Sequence, residues 1–300
     1  MKIQSNGIEI EIDDRGAPNG EPLLLIMGLG MQLTGWPDEL VDLLVARGFR
    51  VIRMDNRDIG LSQGFDHLGV PNVALGGIRY ALRMPVRSPY SLADMAADAV
   101  GVLDALGIRR AHVCGASMGG MIAQHLAAKH PLRVKSLTLI MTTSGSRRLQ
   151  QPSVRVRRAL ISRPATADPA VVAAHLEKLL GVIGSPAYRP DPERLRQRLQ
   201  DNVRRAYRPR GTARQLMAVV ADGDRSPLLE RIVAPTRVIH GQADPLVPVS
   251  AGHDLVAKIP NAVADIVPGM GHDLPLLLLP RFADAIAENA GRAAADPPMP

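Results

Sequence analysis

Of 300 residues only one is a cysteine, Cys114, and aromatic side chains make up 3% of the chain. A single thiol excludes an internal disulfide framework and any cysteine-rich zinc or iron–sulfur centre. The scarcity of rings argues against a nucleic-acid binder, which would set stacking aromatics among its basic residues. Long apolar runs are also missing. Stretches such as Leu23–Met27 and Leu276–Leu279 fall far short of the roughly 20 residues a membrane span requires. The N-terminus, Met1-Lys2-Ile3-Gln4-Ser5-Asn6, has no apolar stretch behind its lysine. It does not read as a secretory signal, and a cytoplasmic location is the expectation.

What is present is the composition of an ordinary globular protein, with 46% hydrophobic and 22% charged residues. The length suits one large domain, or a core with a subdomain. A chain of this size buries roughly three quarters of its unfolded surface, so it needs no disulfide or metal to hold a core. The net charge of +7 is unevenly spread: residues 147–214 carry 16 Lys and Arg against five Asp and Glu. The plain reading of that segment is a solvated, arginine-rich helical face. Steering of anionic or membrane-associated substrates is the alternative.

Strand and helix patterns alternate through the first half of the chain. Ile8–Asp13 alternates apolar and polar residues as a half-buried strand does, and the turn-like Arg15-Gly16-Ala17-Pro18-Asn19-Gly20 suggests a hairpin with the next strand. Leu23–Met27 is continuously apolar, as expected of a strand buried on both faces. Asp38–Arg47 has helical spacing and stops at Gly48; Phe49–Met54 reads as a strand. Residues 64–90, rich in glycine and proline, read as loop. Ser91 then caps a helix over Leu92–Leu106, with Asp94 in the capping-box position. Ala111–Cys114 is a strand, Met118–Lys129 a helix and Val134–Met141 a strand. From Ser144 to about Gly223 no strand pattern occurs, only helical stretches at 153–161, 169–180, 192–205 and 211–221. Alternation then resumes, with strands at Thr236–His240 and Ala264–Val267 and helices at Ser250–Lys258 and Leu276–Asn289.

This order implies an α/β fold, a mostly parallel sheet of about eight strands flanked by helices. Residues 1–143 and 224–300 form its core. Residues 144–223, inserted after the sixth or seventh strand, form a helical cap over the sheet edge where ligands bind. The Ala- and Pro-rich end, 291–300, is expected to be a frayed tail.

Gly115-Ala116-Ser117-Met118-Gly119 follows a strand and opens a helix. Glycines two residues either side of the serine allow a sharp turn that presents its hydroxyl beside the free N–H groups of the helix start. The bland alternative is a serine cap with glycines for close packing. Serine needs a base to act as a nucleophile at neutral pH. Of eight histidines, His272 in Pro268-Gly269-Met270-Gly271-His272 lies in a glycine-flanked loop just after the last strand. His125 and His175 fall within helices, His130 ends one, and His240 ends a strand just before an acid. A base in turn needs a carboxylate to fix its tautomer. Asp244, in the loop after Thr236–His240, suits that role better than Asp273, whose side chain should diverge from its neighbour His272 and read as a surface charge. The backbone N–H groups of Met118 and Leu29 are candidate oxyanion donors. Gly28-Leu29-Gly30 lacks the third glycine and ribose-binding acid of a dinucleotide site.

Together these motifs resemble the α/β-hydrolase superfamily along nearly the whole chain. Gly115–Gly119 is similar to its nucleophile elbow, Gly241–Asp244 to its acid turn and Gly271-His272 to its base loop. Asp55-Asn56-Arg57-Asp58-Ile59-Gly60-Leu61-Ser62 is similar to its Asp-x-Arg-x-x-Gly-x-Ser segment. Met27-Gly28 stands where His-Gly is usual. Within the superfamily, Met27–Gly30, Gly35-Trp36-Pro37 and Ser117–Gly120 most resemble microbial carboxylesterases, a pattern shared by methylesterases that trim polyketide antibiotics. The resemblance implies a cofactor-free, metal-free serine hydrolase acting on a small-molecule ester, with Gly28, Trp36 and Met141 near the substrate. Perhydrolase or carbon–carbon bond hydrolase chemistry, or a hydrolase-fold protein that only binds a small ligand, are the competing readings. Met27, Met31, Met118, Met121, Met141 and Met270 fall near the inferred site and read as core packing, with an adaptable apolar pocket lining as the alternative. Cys114, at the end of a strand, reads as inert core.

Overall fold

The computed structural model describes residues 1–293. Its sheet comprises β1 (Lys2–Ser5), β2 (Ile8–Arg15), β3 (Glu21–Ile26), β4 (Phe49–Met54), β5 (Ala111–Ala116), β6 (Val134–Ile140), β7 (Thr236–Gly241) and β8 (Val263–Val267). These eight strands lie in the order β1-β2-β4-β3-β5-β6-β7-β8. The first three neighbours are antiparallel at β1/β2 and β2/β4, and every later pairing is parallel. The sequence suggested a hairpin from β2 into β3. Instead β2 pairs with β4, Ile12 opposite Met54, and β3 lies on the other side of β4. The turn at 15–20 therefore carries the chain over β4 rather than closing a hairpin.

β3 shows why its apolar run is unbroken. Leu24 and Ile26 belong to the core on one face of the sheet, Leu23 and Leu25 to the core on the other. None is more than 1% exposed, and each such side chain contributes about 1.5–3 kcal/mol through burial. The first face is covered by α3 (Leu92–Ala105), α4 (Met118–Lys129) and α10 (Ser250–Lys258), the second by α1 (Asp38–Val45) and α11 (Leu279–Gly291). The Ser91 hydroxyl accepts from the Asp94 N–H at 3.1 Å while the Asp94 carboxylate accepts from the Ser91 N–H at 2.8 Å, the capping box expected of that pair. Gly291 closes α11; the remainder of the expected frayed tail, 294–300, lies outside the described residues.

Residues 64–90 are not all loop: α2 (Val73–Ala81) forms there, capped by Asn72, whose side chain accepts from the Leu75 N–H. Between β6 and β7 lie α5 (Val154–Ile161), α6 (Pro169–Ile183), α7 (Pro192–Arg205), α8 (Pro209–Asp222) and the short α9 (Ser226–Leu229), with no strand among the described residues. The two ends of this helical insertion run side by side. Arg225 N–H donates to the Ser144 carbonyl at 2.8 Å, and the Arg225 guanidinium reaches Gln124, Thr143 and Asp222.

The Asp55–Ser62 segment fastens the insertion to the sheet. Asp55, fully buried, accepts from the N–H groups of Leu33 and Leu61 and from Arg205 of α7 at 2.8 Å. Asp58, also fully buried, takes two 2.7 Å bonds from Arg214 of α8 and one from the Tyr90 hydroxyl. Burial works against the Asp58 charge, but the Arg214, Phe65 and Tyr90 hydrogen bonds outweigh it and hold the carboxyl below its ordinary range.

Candidate active site

Ser117 sits between β5 and α4 with φ 54° and ψ −119°, a conformation that costs a non-glycine residue energy and must be held by its surroundings. The Ser117 N–H donates to the Ile140 carbonyl at 2.9 Å, and its own carbonyl accepts from Gly120 and Met121 N–H groups and from the Thr142 hydroxyl at 2.7 Å. The flanking glycines are sterically required. A Cβ on Gly115 would overlap the Gly119 carbonyl, and one on Gly119 would overlap the Ile26 carbonyl.

Three side chains from distant parts of the chain meet here. Ser117 Oγ lies 3.0 Å from His272 Nε2, and His272 Nδ1 lies 2.7 Å from Asp244 Oδ2. Asp244 is anchored through its other oxygen, which accepts the N–H groups of Leu246 and Val247, each at 2.8 Å. Those two donors come from the loop after β7 and aim the carboxylate sideways. Asp244 and His272 are 5% and 8% exposed while Ser117 is half-buried, so the hydroxyl is the accessible end of the chain. With Nδ1–H donating to Asp244, Nε2 is free to accept the serine proton.

Met118 follows Ser117 in the chain and Leu29 follows Gly28; neither N–H donates to another group among the described residues. Gly28 lies against the serine: a Cβ built on it would sit 3.2 Å from Ser117 Cβ. Met141, at the end of β6 with φ 42°, is 6% exposed. Trp36 is fully buried in the same apolar layer as Met27, Leu40 and Phe282, and its carbonyl accepts from Arg53. Met27 and Met270 share that layer, and Met118 and Met121 lie in the opposite one. Cys114 is buried too, and burial pushes its thiol well up from the ordinary range.

The other histidines go elsewhere. His125 bonds to Asp222 at 2.8 Å, and His130 ends α4. His240 is fully buried behind Asp244, its Nε2 bonded to the Val247 carbonyl at 2.8 Å. Burial pushes its pKa down despite that bond and the nearby Asp244.

Asp273 is not the surface charge its position suggests. Its Oδ1 accepts from both the N–H and the hydroxyl of Ser185, at 3.1 and 2.5 Å, and the same hydroxyl accepts from Gly271 N–H at 2.8 Å. Burial raises the Asp273 pKa against those bonds. His272 N–H also donates to the Ile183 carbonyl at 2.8 Å. The end of α6 therefore grips the loop that carries His272. Behind Asp273 a cavity of about 290 Å³ opens between α6 and α7, with Leu180, Tyr188, Arg198 and Leu274 among its walls and without Ser117.

Gln215 of α8 plays a matching part on the other side. Fully buried, it accepts from Gly30 N–H at 3.0 Å and donates to the Arg57 carbonyl at 2.9 Å. Sequence reasoning missed Gln215, Ser185 and Arg214, because a polar residue inside an insertion carries no local signal of what it will meet.

The sheet order agrees with the family comparison. Residues 21–277 match the model of the alpha/beta hydrolase fold family, and the chain belongs to that family. It is 31% identical to rhodomycin D methylesterase of Streptomyces peucetius, over 97% of this chain and 98% of that one. It is 30% identical to a 2-hydroxy-6-oxononadienedioate/2-hydroxy-6-oxononatrienedioate hydrolase of Burkholderia vietnamiensis, over 91% and 88%. Its fold superimposes on an esterase from Rhodococcus sp. with a TM-score of 0.75 at 22% identity, covering 98% of each chain.

Proposed function

We propose that the protein is a serine hydrolase of carboxylic esters. The observation that carries this reading is the continuous hydrogen-bonded chain from Ser117 Oγ through His272 to Asp244, at 3.0 and 2.7 Å. In the proposed reaction Ser117 Oγ attacks the ester carbonyl while His272 Nε2 takes its proton. Asp244 holds the imidazole by Nδ1–H and stabilises the imidazolium. The negative oxygen of the tetrahedral intermediate is bound by the Leu29 and Met118 N–H groups, the latter at the positive end of α4. His272 then protonates the departing alcohol, and water, activated by the same imidazole, releases the acid.

Gly28 and Met141 are assigned to the substrate side of Ser117, and Trp36 supports that wall from within the apolar layer. The helices of residues 144–223 act as the cap, and substrate preference resides there while the chemistry resides in the sheet. The relative named as a methylesterase supports an ester, and a small alkyl leaving group among the candidates. A second reading, carbon–carbon bond hydrolysis, is supported by the relative named for an oxononadienedioate. Nitrophenyl esters of graded acyl length, assayed beside a carbon–carbon substrate of that relative, separate the two. Turnover of the esters that disappears in Ser117→Ala supports ester hydrolysis; turnover of 2-hydroxy-6-oxononadienedioate alone supports the second reading. Binding without turnover of either would identify a ligand-binding protein.

A further inference from the structure

We propose that α2 and α5 form a docking surface for an anionic phospholipid bilayer. Six large apolar side chains stand exposed within residues 68–84: Leu68, Val70, Leu75, Ile78, Leu82 and Met84, each between 44% and 65% accessible. Leu75, Ile78 and Leu82 follow i, i+3, i+7 spacing, so they form one stripe along α2 and its C-cap. The opposite face of α2 is the packed one, where buried Gly76 lies against Met217 of α8. The stripe therefore faces outward, where a contiguous apolar patch marks a contact surface.

The charges carried by the two segments are of one sign. No Asp or Glu occurs from His67 to Ala93, a stretch that carries Arg79, Arg83 and Arg87. None occurs from Ser144 to Ala167, which carries Arg147, Arg148, Arg155, Arg157, Arg158 and Arg163, all exposed. The two stretches meet where the Arg147 guanidinium sits 4.1 Å from the centre of the Tyr80 ring. On α5 the exposed Val154 and Ile161 add apolar surface among the arginines. None of these nine arginines has an ion-pair partner among the described residues. In α7, by contrast, Arg194, Arg196, Arg204 and Arg205 are each paired with a carboxylate. The basic charge is thus mostly paired along α7, Arg198 excepted, and left open around α2 and α5.

An apolar stripe rimmed by unpaired arginines matches a surface that offers hydrocarbon below and phosphates above. A nucleic acid fits less well, since it needs free rings for its bases. The face of Tyr80 is covered by Arg147, and Tyr90 is buried. Contact would be peripheral, because no helix among the described residues is long and apolar enough to cross a membrane.

Co-sedimentation of the full chain with lipid vesicles tests this, and its readout is independent of the catalytic assignment. Vesicles of phosphatidylcholine with about 30% phosphatidylglycerol should bind at least about tenfold more tightly than pure phosphatidylcholine. That binding should be largely lost at about 0.5 M salt, where the Debye length is only a few ångströms. Ile78→Glu should weaken binding about tenfold or more, leaving the melting temperature and the hydrolysis of a short soluble ester unchanged. Leu82→Ser, at the most exposed position, is the milder companion should Ile78→Glu fold poorly. Arg155→Glu with Arg158→Glu should erase the preference for anionic lipid. Failure to bind vesicles, or equal binding to neutral and anionic ones, would overturn the proposal. So would a concentration-dependent dimer in ultracentrifugation that Ile78→Glu abolishes, which would assign the stripe to a second copy of the chain.

Discussion

The Gly30 N–H donates to Oε1 of the buried Gln215, 3.0 Å away and 185 residues later in the sequence. This contact ties the loop beside Ser117 to α8. In the proposed mechanism that loop supplies the Leu29 N–H to the oxyanion, and Gln215 would hold the loop in place. Gln215→Leu should leave the fold intact and lower kcat by about 10–100-fold, since small misplacements at a reacting centre carry penalties of that order. KM should change little, because the lost interaction belongs to the transition state. Steady-state kinetics on one soluble ester measure both. A change in KM alone would mean that Gln215 shapes only the substrate pocket.

Two neighbouring carboxylates should separate cleanly. Asp244→Asn allows the wrong imidazole tautomer and should lower kcat on the order of 10⁴-fold, as the corresponding change does in another serine hydrolase. Asp273→Asn keeps a side-chain oxygen for Ser185 and should cost about tenfold or less, acting through the grip of α6 on the His272 loop. The reverse ranking would assign the orienting role to Asp273.

Much of this arrangement was legible in the sequence, and the exceptions have physical causes. Met118–Lys129 and Pro192–Arg205 form helices at the boundaries their spacing implies. The Ser, Asp and His that meet were readable because each follows a strand and sits in a glycine- or proline-marked loop. β1 was not legible, since Lys2–Ser5 is short and largely unburied at the sheet edge. α2 was hidden by Gly76 and Gly77, which lower helix propensity; Gly76 packs here against Met217 of α8, while Gly77 faces open space. The β2–β4 pairing is non-local, and alternation within Ile8–Asp13 does not reveal which strand lies beside it.

The Asp58–Arg214 pair is an ion pair with both members at most 1% exposed. Removing one partner from such a pair strands the other charge and costs about 3–5 kcal/mol. Arg214→Leu should therefore lower the urea midpoint of unfolding strongly. Arg196→Leu, at an exposed and loosely paired site, should be almost silent. Equal effects would mean that the segment around Asp58 does not secure the insertion.

His240 gives a pH signature. Its Nε2 is committed to the Val247 carbonyl and its buried Nδ1 has no partner. A second proton would therefore be buried without an acceptor, and its pKa is pushed down by that burial. The unfolded chain binds this proton at ordinary pH values, so the stability His240 provides is present above pH ~6.5 and is lost as the pH falls below it. The slope attributable to it is at most about 1.4 kcal/mol per pH unit. Urea unfolding of the wild type between neutral and mildly acidic pH should show this loss. His240→Gln should show a shallower dependence. Identical slopes would remove His240 as the cause.

The assignment of Ser117 as nucleophile bears the whole functional reading. A fluorophosphonate probe followed by peptide mass spectrometry tests it directly. The wild type should be labelled at Ser117 and nowhere else, and Ser117→Ala should be unlabelled, folded and at least about 10³-fold slower on a nitrophenyl ester. Labelling at another residue, or ester turnover that survives in Ser117→Ala, would contradict the account.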